Sequence, residues 1–517
     1  MMIYQVYPRS FNDTNGDGVG DLKGITAKLD HIKSLSVDMI WVSPFFRSPM
    51  KDYGYDVSDY RDVDPLFGTL DDFRELVREA RDRGMGIMVD MVISHTSDQH
   101  AWFKASQHRQ AGKDDWYVWA DAQPDGSPPN NWLSEFGGAG WKWDSNRRQY
   151  YFHTFLEAQP DLNLHSMPLQ DQVLSDMEFW LQMGVAGFRM DAVSHYFQDQ
   201  QLRSNPPAPN GHHAMQPRHF QNHLYDMNQP ETIPFLERIR VLLDRYDAFS
   251  VAEVGGAESL KYLAEYVAPG RMHSGYSFDL LGTDSNAGYI RHVLRTLQDN
   301  LPPEAAICSA LSNHDVPRVA TRWRRGREET PHAKQMLTLL ACLRGSICLY
   351  QGEELGLPEA DVPFERIQDP FGIPYWPTFK GRDGCRTPIA WTGAAQGGFS
   401  KVEPWLPVDP RHIARSVSAQ ETNPDSVLAF AREVFALRRA QPALHAGTIE
   451  FLGNDADLLV FARKHAGSTI VCVFNMGDQP KEFRGLSAGQ VLCSRNTMLV
   501  HGHAALGVSG FCLFQQA

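Results

Sequence analysis

Between residues 3 and 350, short apolar runs alternate with stretches of helical periodicity, and this alternation constrains the fold more than any other feature. The runs lie near residues 3–7, 39–42, 86–93, 185–193, 249–254, 275–280, 306–311 and 347–350, all too short to span a membrane. A near-continuous apolar run of this length is how a parallel strand buried on both faces reads. Helical patterns at 25–34, 70–83 (stopped by Gly84) and 169–183 fall between the runs, and another at 426–439 follows the last. Strands alternating with helices predict a parallel sheet with crossover helices, and eight such strands predict a closed (β/α)₈ TIM barrel.

Four of the runs finish on an acid. Asp90 ends Gly86-Ile87-Met88-Val89, Asp191 ends Gly187-Phe188-Arg189-Met190, Glu253 ends Phe249-Ser250-Val251-Ala252, and Asp315 closes Leu311-Ser312-Asn313-His314. The C-terminal tips of barrel strands are where chemistry is done in this architecture. One such acid is readily a structural partner of a nearby Arg; stability alone does not ask for four.

The alternation pauses over residues 94–163, a stretch rich in Trp, Gly, Pro and Asn (Ser127-Pro128-Pro129-Asn130-Asn131-Trp132) that reads as an irregular subdomain inserted after the third strand. It resumes at 164, and a long polar loop occupies 201–230. A tail with strand patterns at 458–462 and 469–474 predicts a C-terminal antiparallel β-sandwich. Three parts follow: a barrel of residues 1–93 and 164–445, an insertion of 94–163, and a C-terminal unit of 446–517. There is no internal repeat and no low-complexity tract.

A formal net charge of −13 argues against nucleic-acid or anionic-membrane partners, both of which need basic patches. Seven cysteines, an odd number without C-x-x-C spacing, read as buried reduced thiols in a reducing compartment. A cytoplasmic location is expected, with the periplasm open if a presequence precedes Met1. A monomer or homodimer acting on a small-molecule substrate, without an organic cofactor, is the expected form.

Cleaving a glycosidic bond with retention takes two carboxyl groups about 5–5.5 Å apart, one nucleophile and one proton donor. Neighbouring strands lie about 4.8 Å apart, so Asp191 and Glu253, at the tips of the fourth and fifth strands, can meet that spacing. Arg189 points to the same side as Asp191 and is expected to lower its pKa and keep it ionised. Apolar Val251, Ala252 and Val254 around Glu253 are expected to raise its pKa toward that of a general acid. Asp315, with His314 beside it, suits a grip on sugar hydroxyls.

Together Gly187-Phe188-Arg189-Met190-Asp191, Val251-Ala252-Glu253-Val254-Gly255, Asn313-His314-Asp315 and Asp90-Met91-Val92-Ile93-Ser94-His95 resemble the four signature regions of the α-amylase superfamily, glycoside hydrolase family thirteen. Gln159-Pro160-Asp161-Leu162-Asn163 resembles the further motif of its oligo-1,6-glucosidase and α-glucosidase branch. Residues 381–388 and 350–354 fit that branch too. The resemblance implies that Asp191 is the nucleophile, Glu253 the acid/base and Asp315 the transition-state stabiliser. It implies a pocket for a non-reducing glucose made by Asp52, Tyr55, His95, Gln159, Arg189, His314 and Arg386, flanked by Phe136 and Phe155. Taken singly, His95 and His314 read as structural histidines, Tyr55 as packing, and Arg386 as a partner of Asp383. Asp90 is expected to orient Arg189 or His95.

A second constellation is Asp13-Thr14-Asn15-Gly16-Asp17-Gly18-Val19-Gly20-Asp21, whose alternating oxygen side chains suit either an Asx-rich turn or a hard cation. Gly24 stands where an EF-hand would place its bidentate glutamate. The family resemblance implies a structural Ca²⁺ or Mg²⁺ held by Asp13, Asn15, Asp17, Asp21 and the Val19 carbonyl.

Ala192 follows the implied nucleophile, where relatives favouring α-1,6 bonds resemble Val and those favouring α-1,4 bonds carry a smaller residue or Thr. Short α-1,4 substrates such as maltose are therefore expected, with transglucosylation if the 201–230 loop shelters the glucosyl-enzyme. Sucrose- or α-1,6-directed activity is the nearest alternative. A non-catalytic, transporter-associated relative is expected to lose its catalytic acids and to carry a membrane segment.

Overall fold

The computed structural model describes residues 1–209, 216–302, 305–500 and 502–517. Eight parallel strands, β1 (Met2–Val6), β2 (Met39–Val42), β3 (Gly86–Met91), β4 (Gly187–Met190), β5 (Phe249–Val254), β6 (Ser274–Ser277), β7 (Cys308–Ala310) and β8 (Ser346–Tyr350), follow one another in chain order around a barrel. Ile3 pairs with Met39, Met88 with Gly187, and Gly187 with Phe249, while β8 returns to β1 through Ile347 and Met2. The hydrogen-bonded sheet has its two ends at β6 and β7, so the barrel is nearly closed.

Alternation along each strand sorts the side chains. Ile3, Met39, Trp41, Met88, Val251, Tyr276, Cys308 and Cys348 fill the barrel interior. Tyr4, Ile40, Val42, Ile87, Val89, Phe188, Ala252 and Val254 face the surrounding helices. The parity of the interior set places Asp90, Arg189, Asp191 and Glu253 on the same inward face, one step nearer the C-terminal mouth. At Gly187 an added Cβ would stand 2.3 Å from the Phe249 carbonyl oxygen, so only glycine allows β4 and β5 to approach as they do.

Helix Leu70–Asp82 begins at a reciprocal Thr69–Asp72 capping box and buries Phe73, Leu76, Val77 and Ala80 on one stripe. The helical pattern at 25–34 is two pieces, Leu22–Thr26 and Leu29–Ser34. Asp21 starts the first by accepting from Gly24 N, and Lys28 leaves helical geometry between them.

The insertion is more regular than its composition suggests. It holds helix Ala101–Gln107 and a three-stranded antiparallel sheet of Trp119–Ala120, Gln149–Phe152 and Trp141–Asp144. At the C-terminus six antiparallel strands share one hydrogen-bonded sheet. The long strand His503–Gln516 joins them, pairing with Ser468–Asn475, Lys481–Arg484 and Gly489–Val500. One face, with Phe461, Phe474 and Phe511, packs into the main core; the other gathers Val460, Val473, Leu506 and Phe514. All seven cysteines are buried and unpaired. Among the described residues no helix is long and apolar enough to cross a membrane.

Candidate active site

Arg189, fully buried inside the barrel mouth, organises the acids. Its Nη1 donates to Asp90 Oδ1 (2.8 Å) and to Asp191, and its Nη2 lies 2.5 Å from Glu253 Oε1. Trp41 lies against the guanidinium face at 4.9 Å and donates its indole N–H to Asp90 (3.0 Å). The Tyr276 hydroxyl donates to Glu253 (3.0 Å) and accepts from Arg189 Nη2 (3.0 Å). Ala192, in left-handed geometry (φ 46°), turns its N–H onto Glu253 Oε2 (3.0 Å). An L-residue pays for that conformation, and here it ties the segment after Asp191 to Glu253.

Three carboxylates thus face one guanidinium, and this corrects the expected electrostatics of Asp191. Burial, with Asp90 and Asp315 nearby, pushes its pKa up to about 7 although Arg189 opposes the shift. The cation is shared with Asp90 and Glu253, so it cannot hold Asp191 low by itself. Glu253 also rises to about 7, as expected in direction, but not because of a purely apolar setting. Burial is the largest cause, and the Asp191 and Asp315 charges add to it. Ala252 and Val254 point to the helix layer, leaving Val251 on the same face as Glu253. The pair therefore titrates as a unit near neutrality.

Around this centre the polar wall is continuous. Tyr55 donates to Asp90 (3.1 Å) and meets His314 Nε2, whose Nδ1 faces Gln5 Nε2 at 2.8 Å. Burial pushes His314 well below the usual histidine range and His95 down to about 3, so both rings are neutral. His95 contacts the Tyr55 carbonyl (3.0 Å) and Gln159 (3.2 Å), and Gln159 donates to Asp52 (3.2 Å). Arg386 donates to the His314 carbonyl (2.7 Å) and to Asp315 (3.1 Å), not to Asp383, which accepts from the backbone of Gln368 and Asp369. Burial raises the Asp315 pKa, but the Arg382 and Arg386 guanidiniums beside it outweigh that and hold the carboxyl below the usual range. Phe155 packs on His95 (5.0 Å), and Phe136 stacks on Phe371 (4.9 Å). Asp90, itself held by Trp41 and Tyr55, orients Arg189; His95 is served by Ser94 (2.9 Å).

The wall also holds residues that sequence reasoning passed over. Arg382 bridges Asp52 (2.9 Å), Asp315 (3.2 Å) and Asp369 (2.8 Å) under the face of Phe136 (5.2 Å). It lies in the quoted stretch 381–388, so its charge was visible and its partners were not. Tyr276 occupies the inward position of β6 at the height of Glu253, a signal available from strand parity. Asp369 and Phe371 carry no local signature.

In the loop 13–21 every side-chain oxygen named above accepts a hydrogen bond within the protein. Asp13 takes Gly16 N, Gly18 N and Ser400 Oγ; Asn15 takes Asp17 N; Asp17 takes Val19 N and Asn15 Nδ2; Asp21 takes Thr14 and Gly24 N. All donors in the set are hard oxygens, the chemistry that Ca²⁺ or Mg²⁺ takes. Among the described residues no three His, Cys, Asp or Glu side chains converge on a metal position.

Comparison with known proteins gives the family. The profile of the alpha amylase catalytic domain matches residues 5–447. The chain belongs to the alpha-amylase family. A probable alpha-glucosidase of Rhizobium meliloti (strain 1021) is 50% identical over 490 residues, covering 92% of this chain and 89% of that one. An oligo-1,6-glucosidase of Heyndrickxia coagulans is 34% identical over 527 residues, covering 93% and 92% respectively. Among solved structures, the alpha-glucosyl transfer enzyme XgtA superposes with a TM-score of 0.96 at 50% identity, covering 100% of this chain and 98% of that one. The chain is accordingly a glycoside hydrolase of the α-glucosidase and oligo-1,6-glucosidase kind, with a glucosyl-transferring structural neighbour.

Proposed function

We propose that this enzyme is an exo-acting, retaining α-glucosidase that takes short α-1,4-linked substrates such as maltose and passes the glucosyl group to water or to small acceptors. The observation that carries the reading is the bridging of Asp191 and Glu253 by the two terminal nitrogens of Arg189. A shared guanidinium keeps the two carboxyl groups close together at the barrel mouth, which supports the short spacing of a nucleophile and proton donor flanking the scissile bond in a retaining pair.

In the first step ionised Asp191 attacks the anomeric carbon while protonated Glu253 delivers its proton to the departing oxygen. The C1–O bond breaks and an Asp191–C1 ester forms, which removes the Asp191 charge. That charge helps to raise the Glu253 pKa, so the ester lowers it and Glu253 becomes a base suited to deprotonate the incoming acceptor. Asp315, held ionised by Arg382 and Arg386, suits stabilisation of the oxocarbenium-like transition state. Asp52, His95, Gln159, His314 and Arg386 would bind the glucose hydroxyls, with Tyr55 at the pocket floor and Phe136 and Phe155 at its sides. Ala192 leaves more space beside the cleaved bond than Val would, which supports the α-1,4 preference.

A structural Ca²⁺ or Mg²⁺, if bound, would be held by Asp13, Asn15, Asp17, Asp21 and the Val19 carbonyl, where it would tie the loop without entering the reaction. The seven unpaired thiols support a reducing compartment such as the cytoplasm.

The test is product analysis by NMR with maltose, isomaltose and sucrose, each with and without a small alcohol. Initial α-glucose from maltose, little product from isomaltose, and an alkyl α-glucoside with alcohol are expected. Initial β-glucose would overturn the retaining mechanism, and equal rates on isomaltose would overturn the Ala192 argument.

A further inference from the structure

Next to the proposed pocket lies a buried charge cluster that the reaction does not use. Arg218, 2% exposed, comes from the arm of residues 216–230, and its Nε lies 2.6 Å from Glu135 Oε1 in the insertion. Its Nη1 donates to the Leu133 carbonyl and lies 3.3 Å from Asp226. Asp226 in turn takes His223 Nδ1 (2.9 Å) and Asn205 Nδ2 (2.8 Å). Burial raises the Glu135 and Asp226 carboxyls, but Arg218 leads the contacts that outweigh it, so both stay below their usual range.

The insertion is also fastened at neutral points, to residues 203 and 205 as well as to the arm itself. Asn131 and Asn205 exchange two hydrogen bonds (2.8 and 2.9 Å), Gln221 donates to the Asn131 carbonyl (2.6 Å), and Trp132 donates to the Arg203 carbonyl (2.9 Å). An isolated buried ion pair is a poor source of stability, because desolvation offsets its attraction. A geometric role accounts better for a cation placed at the seam.

Glu135 stands where three parts of the wall meet. Its neighbour Phe136 covers Arg382, its own carboxylate is 3.9 Å from His195, and His195 packs on Phe155 (5.7 Å). At Gly137 the backbone comes so near Tyr375 that an added Cβ would sit 2.5 Å from the hydroxyl. Glu135 thus touches the aromatic sides of the glucose pocket and, through His195, whose N–H donates to the Ala192 carbonyl (2.9 Å), the turn beside the cleaved bond, where the acceptor enters.

We propose that Arg218 is a positioning residue that clamps the 216–230 arm to Glu135 and thereby fixes the acceptor side of the pocket, setting how the glucosyl-enzyme divides between water and an alcohol. The inference rests on the glucosyl-enzyme mechanism proposed above. In either fate the Asp191–C1 bond breaks, an acceptor oxygen bonds to C1, and its proton goes to Glu253. A rigid wall holds an alcohol in line for attack and limits entry of water. A loosened wall favours water, which needs no positioning surface.

The experiment compares wild type with Arg218→Met, Arg218→Lys and Glu135→Gln, using an aryl α-glucoside donor and a fixed concentration of small alcohol. Phenol release reports formation of the glucosyl-enzyme, and NMR gives the ratio of alkyl glucoside to glucose. For Arg218→Met the ratio is expected to fall about ten-fold, which corresponds to about 1.4 kcal/mol between the two attack barriers. Phenol release per folded enzyme, to which the aromatic sides of the glucose pocket contribute, should change by much less than the ratio, and Arg218→Lys and Glu135→Gln should give intermediate ratios. A purely structural role would lower the melting temperature and phenol release together with the ratio intact, and that result in the milder variants overturns the proposal. Wild-type enzyme that releases no phenol would instead overturn the glucosidase reading itself.

Discussion

Replacing Tyr276 with Phe probes the electrostatics of the site at one oxygen atom. The hydroxyl donates to Glu253 Oε1 and accepts from Arg189 Nη2, each at 3.0 Å, in a buried setting. A hydrogen bond to a charged group contributes about 1.5–3 kcal/mol, and one pKa unit is about 1.4 kcal/mol. Tyr276 favours ionised over protonated Glu253, so its removal raises the Glu253 pKa above its value of about 7. Because the Arg189–Glu253 pair at 2.5 Å remains, the lower end of that range applies and the shift is roughly one unit. Glu253 must carry its proton in the first step, so the alkaline limb of kcat/KM should move to higher pH by that amount. The assay is kcat/KM for maltose across the pH range, since a sugar leaving group needs the proton. An alkaline limb that stays in place, or moves to lower pH, would refute the assignment of Glu253 as the acid.

Other perturbations follow from the same geometry. Arg189→Met leaves Asp90, Asp191 and Glu253 buried without their cation and should cost about 3–5 kcal/mol of stability in urea titration, with activity lost. Burial raises Glu353 from an ordinary value of 4.5 to about 8. Its contribution to stability is therefore full below about 4.5 and declines as pH rises toward 8, at up to about 1.4 kcal/mol per pH unit. Glu353→Gln should flatten that decline, which thermal melts at pH 5 and pH 8 will show. For the loop 13–21, chelation should lower the melting temperature without changing product stereochemistry, and added Ca²⁺ or Mg²⁺ should restore it. An unchanged melt would count against the cation.

Much of the architecture was legible because a barrel strand must be apolar on both faces, so eight such runs could be counted directly. The acids that interrupt their ends stood out for the same reason: Asp90, Asp191 and Glu253 are costly in such runs. Parity along the strand then placed Arg189 beside Asp191. The insertion was harder to read, since its aromatic and turn-forming residues hide short strands such as Gln149–Phe152 whose partners lie elsewhere in the chain.

Which charges share a cation is a different kind of property. Arg382 meets Asp52 across 330 positions and Asp315 across 67, and no local pattern encodes such contacts. Nor could the sequence show that one Arg189 would serve three carboxylates, which turned the expected low pKa of Asp191 into a high one. Apolar periodicity is a local signal, because burial acts on each residue through its own side chain. Electrostatic balance depends on distances between residues far apart in the chain, so the residues at the strand tips were written in the sequence and their protonation was decided by the assembled barrel.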